Sequence, residues 1–198
     1  MEINFHSGKY FLLGLTVILL VVFADQYTKW LVMESLLRPN GPVNAGFIDW
    51  FTSLKKIGFF VDEREHFKSI TLSPFLNLVM VWNQGISFGI GDSHSPHMPL
   101  VFIALSLVIS MGMIFWLALN TQKIIGIALG LIIGGAIGNV LDRVRFDAVA
   151  DFIDVHYQQY HWPAFNVADS CIVAGAGIII LVTSFPFSRS KEDIMRKE

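Results

Sequence analysis

The sequence predicts a mainly α membrane protein of four transmembrane helices, with strands lying at the membrane surface. Three observations predict it. Of the 198 residues 54% are apolar and only 15% are charged, against about 25% charged in soluble domains of similar size. The apolar residues are gathered into uncharged runs, and the longest, Met98–Leu119, covers a hydrocarbon core about 30 Å thick at a rise of about 1.5 Å per residue. Between the first two runs lies a stretch of quite different composition.

The first span, about 10–33, is uncharged from Tyr10 to Ala24, meets Asp25 and Lys29, and returns to apolar residues at Trp30–Met33. Lys9 ahead of it and Val22-Phe23-Ala24 within it also fit a cleavable signal peptide. A retained anchor fits better, because apolar character continues past the would-be cut and the chain goes on to span again. The stretch of about 36–97 has Pro and Gly at 39–46, mixed charge at 55–68, and PFLNLVMVWNQGISFGI at 74–90. Ser, Thr, Val and Phe with a Gly-rich end predict surface strands there rather than another span. Lys55-Lys56 reads as a solvated face, with a membrane-surface contact as the alternative. The second span is 98–119, the third about 124–142, and the fourth about 168–187, leaving 143–167 as a second segment outside the bilayer. Four spans return both ends to one side, which Lys9, Lys123, Arg189, Lys191, Arg196 and Lys197 mark as cytoplasmic. Most opposing cations (Arg38, Lys55, Lys56, Arg64, Lys68) fall in or beside a long loop, where the positive-inside rule has little force.

Composition also narrows the partners and the chemistry. The formal net charge is −2 with no long basic run, so nucleic acid is not an expected partner. The single cysteine, Cys171, cannot close an internal disulfide, and at the start of the fourth span it reads as apolar filler rather than a thiolate. His94, His97, His156 and His161 have no metal-ligand spacing, and no serine sits in a nucleophile elbow, so neither a metal nor a cofactor is expected.

Ionisable residues in or beside a span are costly and need a partner or a task. Asn139, Asp142 and Arg143 stand at i, i+3 and i+4 at the end of the third span, which predicts a shared face, with Arg143 paired to Asp142 and holding the helix end. A self-satisfied ion pair at the interface is the plainer reading. Glycines at 126, 130, 134 and 138 leave a stripe of that helix open to close approach by a neighbour. Downstream, VADFIDV (149–155) and WPAFNVADS (162–170) bring Asp151 and Asp169 to one membrane face, because the connection between them is short. Asp169 falls in the first turn of the fourth helix beside Asn166, where helix N-termini favour negative charge. A helix cap for Asp169 and a solvated loop acid for Asp151 are the alternatives, and Asp154 competes with Asp151. Two close carboxylates share a proton, so one serves as base on water while the other donates to a carbonyl. Peptide hydrolysis with neither a metal nor a nucleophilic residue needs such a pair.

GGAIGNVLDRV (134–144), VADFIDV and WPAFNVADS, with ADQYTK (24–29) and WNQGISFG (82–89) before them in the same order, closely resemble the lipoprotein signal peptidases, or signal peptidase II. The resemblance covers nearly the whole chain. It implies a single integral membrane domain over 1–198: a multi-pass aspartyl endopeptidase of the bacterial inner membrane, with a small periplasmic β-sheet and a surface helix, both termini cytoplasmic and the active site at the periplasmic face. The implied substrate is a diacylglyceryl-modified prolipoprotein cut on the amino side of the lipidated cysteine, and the implied inhibitors are globomycin-type cyclic peptides. By motif position Asp151 and Asp169 become the catalytic pair. Asn139, Asp142, Arg143, Asn166, Asn83 and Gly85 support the site or bind substrate, and Asp25 and Lys29 support it from the first helix. Two features depart from the family pattern. An insertion at about 40–70 lengthens the first outer segment. The family's usual NxGAAF segment reads Asn83-Gln84-Gly85-Ile86-Ser87-Phe88, which puts bulkier or more polar side chains where small ones are common and bears on the lipid pocket and the lipobox preference.

Two other classes compete. A small proton-coupled transporter would use Asp25, Asp142 and Asp169 as relay groups, but these acids gather at one membrane face rather than near the midplane. A non-catalytic scaffold would tolerate loss of its carboxylates.

Overall fold

The computed structural model describes residues 8–38, 45–53, 67–85 and 98–185. The readings on Lys55 and Lys56, Arg64, residues 86–88, His94, His97, Arg189, Lys191, Arg196 and Lys197 lie outside the described residues, as does most of 40–70.

Among the described residues, four helices are long and apolar enough to cross a membrane. The first, α1 (Phe11–Leu31), runs on through a π-helical turn, Val32–Leu36, closed by Leu37 N–H donating to Val32 O at 2.9 Å. The short α2 (Phe47–Thr52) follows. The remaining long helices are α3 (Met98–Leu119), α4 (Lys123–Phe146) and α5 (Val167–Ser184). Helix α4 therefore runs one turn beyond 142. The charged residues of that turn keep partners, which lets the helix continue until Asp147 takes the left-handed conformation (φ 61°) and ends it.

Helix α4 lies at the centre of the bundle, against α1, α3 and α5. Its glycine stripe meets α1 as predicted: a Cβ at Gly130 would lie 2.8 Å from Gly14 O, and one at Gly134 2.8 Å from Val21 Cβ. Gly135 and Gly175 do the same for the α4–α5 contact, where added Cβ atoms would lie 2.4 Å from Ala168 O and 2.6 Å from Ala128 O. Backbones this close leave no room for side chains, which is how helices pack where lipid supplies no hydrophobic drive between them. Ile18, Leu117, Ile125, Leu129 and Ile133 fill the rest of the bundle core. Leu19, Leu20, Val108, Met111, Phe115, Val173 and Ile180 face outward, the distribution a lipid solvent permits.

One end of the bundle carries an antiparallel sheet in the order β1 (Ile70–Ser73), β2 (Leu76–Asn83), β3 (Val149–Tyr157), β4 (Tyr160–His161). Strands from two separate connections are thus joined: β2 belongs to the α1–α3 connection and β3 to the α4–α5 connection, registered by Leu76↔Val155, Val81↔Asp151 and Asn83↔Val149. Under this sheet Met33, Trp50, Phe146, Ala148 and Ala150 form an apolar core. The α2 residue Trp50 is 1% exposed there.

Candidate active site

The sheet end of the bundle gathers the acidic residues that the sequence singled out. On β3, strand alternation turns Asp151 to the face shared by Val81 and Asn83 of β2. Asp151 is 1% exposed, and both its oxygens accept hydrogen bonds, Oδ1 from Asn166 Nδ2 at 2.8 Å and Oδ2 from Asn83 Nδ2 at 3.0 Å. The orientation of the Asn83 amide follows from Gly85, whose N–H donates to Asn83 Oδ1 at 3.1 Å. Gly85 has φ +138°, and a Cβ there would lie 2.6 Å from the Phe102 ring on α3, so both the backbone and the space demand glycine.

Asp169 is reached from the other side. Asn166 caps α5 with a reciprocal box: its Oδ1 accepts from Asp169 N–H at 2.9 Å, and Asp169 Oδ2 accepts from Asn166 N–H at 3.2 Å. The other Asp169 oxygen accepts from Asn139 Nδ2 at 2.8 Å, and Asn139 Oδ1 accepts from Asn166 Nδ2 at 3.2 Å. Asn166, fully buried, thus touches both acids at once. Burial, and next the negative charge of Asp169, push the Asp151 carboxyl up from 3.8 to about 7; the bonds from Asn83 and Asn166 and the charge of Lys29 only partly offset them.

Asp154 is placed elsewhere. It projects from the opposite side of β3, accepting from Asn77 Nδ2 at 3.0 Å and contacting His161 Nδ1 at 2.8 Å, with the His161 ring stacked on His156. Burial raises its carboxyl, but the Asn77 and His161 bonds outweigh burial and hold it below the ordinary aspartate value.

Asn139 and Arg143 meet one turn apart on α4, but Asp142 does not join them. Asp142 turns to α1, where its Oδ2 lies 2.8 Å from Lys29 Nζ and its Oδ1 accepts from Gln26 Nε2 at 2.9 Å. The expected Arg143–Asp142 pair is replaced by Lys29–Asp142. Neighbouring helix residues project about 100° apart and cannot face one partner together. Arg143 instead donates to Asn139 O at 3.4 Å and lies 5.2 Å over the Phe102 ring. Asp25, also on α1, pairs with Lys29 at 2.8 Å.

Two participants escaped the sequence reading. Gln26 Nε2 also contacts Asp25 Oδ2, at 3.1 Å. Arg145 donates to Gln26 Oε1 at 2.9 Å and to the Trp50 carbonyl, and lies 4.0 Å over the Trp50 ring, tying α2 to the same network. Both are polar residues inside an apolar helix, the signal by which Asp25 and Lys29 were noticed. Among the described residues no cluster of His, Cys, Asp and Glu could hold a metal ion.

A model of the family described as Signal peptidase (SPase) II matches residues 17–185. The chain belongs to the signal peptidase II family. Relatives named lipoprotein signal peptidase include one from Syntrophotalea carbinolica, 38% identical over 164 residues, 82% of this chain and 84% of that one. Another, from Pasteurella multocida, is 43% identical over 125 residues, 62% of this chain and 76% of its own. Among solved structures, a bacterial membrane enzyme determined by the in meso method at 1.9 Å matches with a TM-score of 0.65 over 91% of this chain and 97% of that one, at 23% identity. That likeness carries the fold. As a signal peptidase II family member the chain is a multi-pass membrane peptidase, which leaves the transporter and scaffold readings without support.

Proposed function

We propose that this peptidase is an aspartyl endopeptidase of the bacterial inner membrane. It removes the signal peptide from diacylglyceryl-modified prolipoproteins by cleaving on the amino side of the lipidated cysteine. Asp151 and Asp169 form the catalytic pair. The observation that carries this reading is the double attachment of Asn166 to both acids, together with an Asp151 carboxyl raised to about 7 beside the charge of Asp169.

The shared proton rests on Asp151. Asp169 takes a proton from a water molecule as its oxygen attacks the scissile carbonyl carbon, while Asp151 gives its proton to the carbonyl oxygen. The resulting gem-diol collapses as Asp151 takes back a hydroxyl proton and the carbonyl re-forms; the C–N bond breaks and the amide nitrogen takes up the proton held by Asp169. Asn166, Asn139 and Asn83, with Gly85 behind it, hold the carboxylates in register so that little reorganisation is needed during the step.

The site sits where α4 ends and α5 begins, which in the proposed orientation is the periplasmic boundary of the bilayer, with both termini cytoplasmic. A substrate tethered by acyl chains presents its cleavage point at that depth, and the lipid-facing helix surfaces let it enter sideways. Globomycin-type cyclic peptides are expected to compete at the same place. The test is conversion of a lipid-modified precursor peptide, followed by gel shift, for Asp151→Asn and Asp169→Asn separately. Each variant inserts in the membrane and loses cleavage almost completely, and wild-type cleavage declines as pH rises through about 7. Retained cleavage in both variants refutes the aspartyl mechanism; retained cleavage in one alone removes that acid from the catalytic pair.

A further inference from the structure

We infer that Lys29 is a positioning residue that sets the spacing of Asp151 and Asp169 by clamping the backbone immediately ahead of each. The inference rests on the reading of those two acids as the catalytic pair. Lys29 touches neither carboxylate. Its Nζ lies 2.8 Å from Asp25 Oδ2 and 2.8 Å from Asp142 Oδ2, and all three side chains are fully buried. The far oxygen of Asp25 accepts the N–H of Ala168, at 3.0 Å, and Asp142 Oδ2 accepts the N–H of Ala150, also at 3.0 Å. Ala168 directly precedes Asp169, and Ala150 directly precedes Asp151. One ammonium is therefore joined to each catalytic residue through the same two links, a carboxylate and a peptide N–H.

The strand and the helix bearing the two acids are held to a common point on α1, an element that contributes neither acid. Gly138 makes this possible, since a Cβ there would lie 2.6 Å from Asp25 Oδ2. Gln26 Nε2 spans the same two carboxylates, at 3.1 and 2.9 Å. It adds a neutral strut but cannot offset their mutual repulsion. Without the ammonium, Asp25 and Asp142 are two like charges in a low-dielectric interior. They separate, and the backbone attached to each follows.

A role confined to holding the fold predicts lower stability with unchanged chemistry. Positioning predicts altered chemistry in folded protein. The charged and titratable groups around Asp151 are Asp169, Lys29 and Arg143. Removing the Lys29 charge leaves the Asp151 proton held more tightly as well as misplaced. The experiment is Lys29→Met, close in length and uncharged, in full-length protein purified in detergent, with steady-state cleavage of the lipid-modified precursor peptide measured across pH. In folded variant kcat falls by about a hundredfold, the scale of an ångström's displacement of reacting groups. KM stays near wild type, because the lipid-tethered substrate does not contact Lys29, and the alkaline limb of kcat moves to higher pH. Wild-type kcat and an unmoved limb overturn the inference, as does loss of stability with kcat per folded molecule preserved.

Should Lys29→Met not be recovered folded, Lys29→Gln carries the same test: it too leaves the Asp25 and Asp142 carboxylates facing each other without the ammonium, while its amide keeps a donor between them. Asp151→Asn, assayed alongside, separates the two claims: an inactive Asp151→Asn with a fully active Lys29→Met defeats the clamp alone, whereas an active Asp151→Asn defeats the mechanism beneath it.

Discussion

Replacing Asp151 by Asn separates what the carboxyl does from what it costs the fold. It is 1% exposed and raised from 3.8 to about 7, and a shift of about three units corresponds to about 4 kcal/mol. The sign follows from proton binding. Below pH about 4 the acid is protonated in both folded and unfolded chains, so nothing is lost. Above that the unfolded chain releases the proton while the folded chain retains it. Folding therefore becomes steadily less favourable as pH rises, and the full cost is reached above pH about 7.

Asparagine carries no such charge and removes the cost, but it introduces a mismatch. Both Asp151 oxygens accept from asparagine amides, at 2.8 and 3.0 Å, and Asn has one acceptor to offer. Asn83 cannot turn over to compensate without losing the N–H of Gly85. A buried donor left facing a donor costs about 1–3 kcal/mol. At pH 8 Asp151→Asn is thus more stable than wild type by about 1–3 kcal/mol, while at pH 4 only the mismatch remains and the order reverses. Thermal unfolding in micelles followed by circular dichroism reads this as two Tm curves that cross between pH 4 and 8. Parallel curves, or a variant less stable at every pH, refute the account of Asp151 as a buried acid held protonated at its own expense.

Asn166→Ala removes the contact shared by both acids and the cap of α5 together. Cleavage of the precursor peptide falls by about a hundredfold, with about 1 kcal/mol lost from stability; near-wild-type kcat contradicts the bridging role. Gly135→Ala forces a Cβ to within 2.4 Å of Ala168 O, beside Asp169, whereas Gly177→Ala on the same pair of helices meets nothing within 4 Å. The first destabilises by about 1–3 kcal/mol and slows cleavage, and the second stays within about 1 kcal/mol of wild type at full activity. Equal behaviour of the two in denaturation and cleavage assays removes the close-approach argument.

The spans were legible because bilayer thickness sets the length of an apolar run, and Met98–Leu119 meets it without help from any neighbour. The glycine period of four likewise reads directly as a helix face. Asp151 and Asp169 stood out because a carboxylate beside a span must justify its cost, and the sequence resemblance marked the same positions. Residues 149–155 (VADFIDV) carry no period-two alternation, and their strand is fixed by pairing with β2, which lies far away in the chain.

Which polar group meets which was not in the sequence. Arg143 stands next to Asp142, yet Lys29, more than a hundred residues away, takes that carboxylate, and Arg145 reaches to α2 and Gln26. A buried charge seeks whatever opposite charge the packing brings near, and packing is set by glycine contacts among α1, α4 and α5 that a linear reading locates only as surfaces. The sequence by itself determined the solvent, the number of crossings and the residues capable of acid chemistry, each a matter of local composition and length. The tertiary structure alone decided that the N–H groups ahead of Asp151 and Asp169 are held by two carboxylates sharing one lysine, because only the folded bundle brings three helices and a strand to one point out of water's reach.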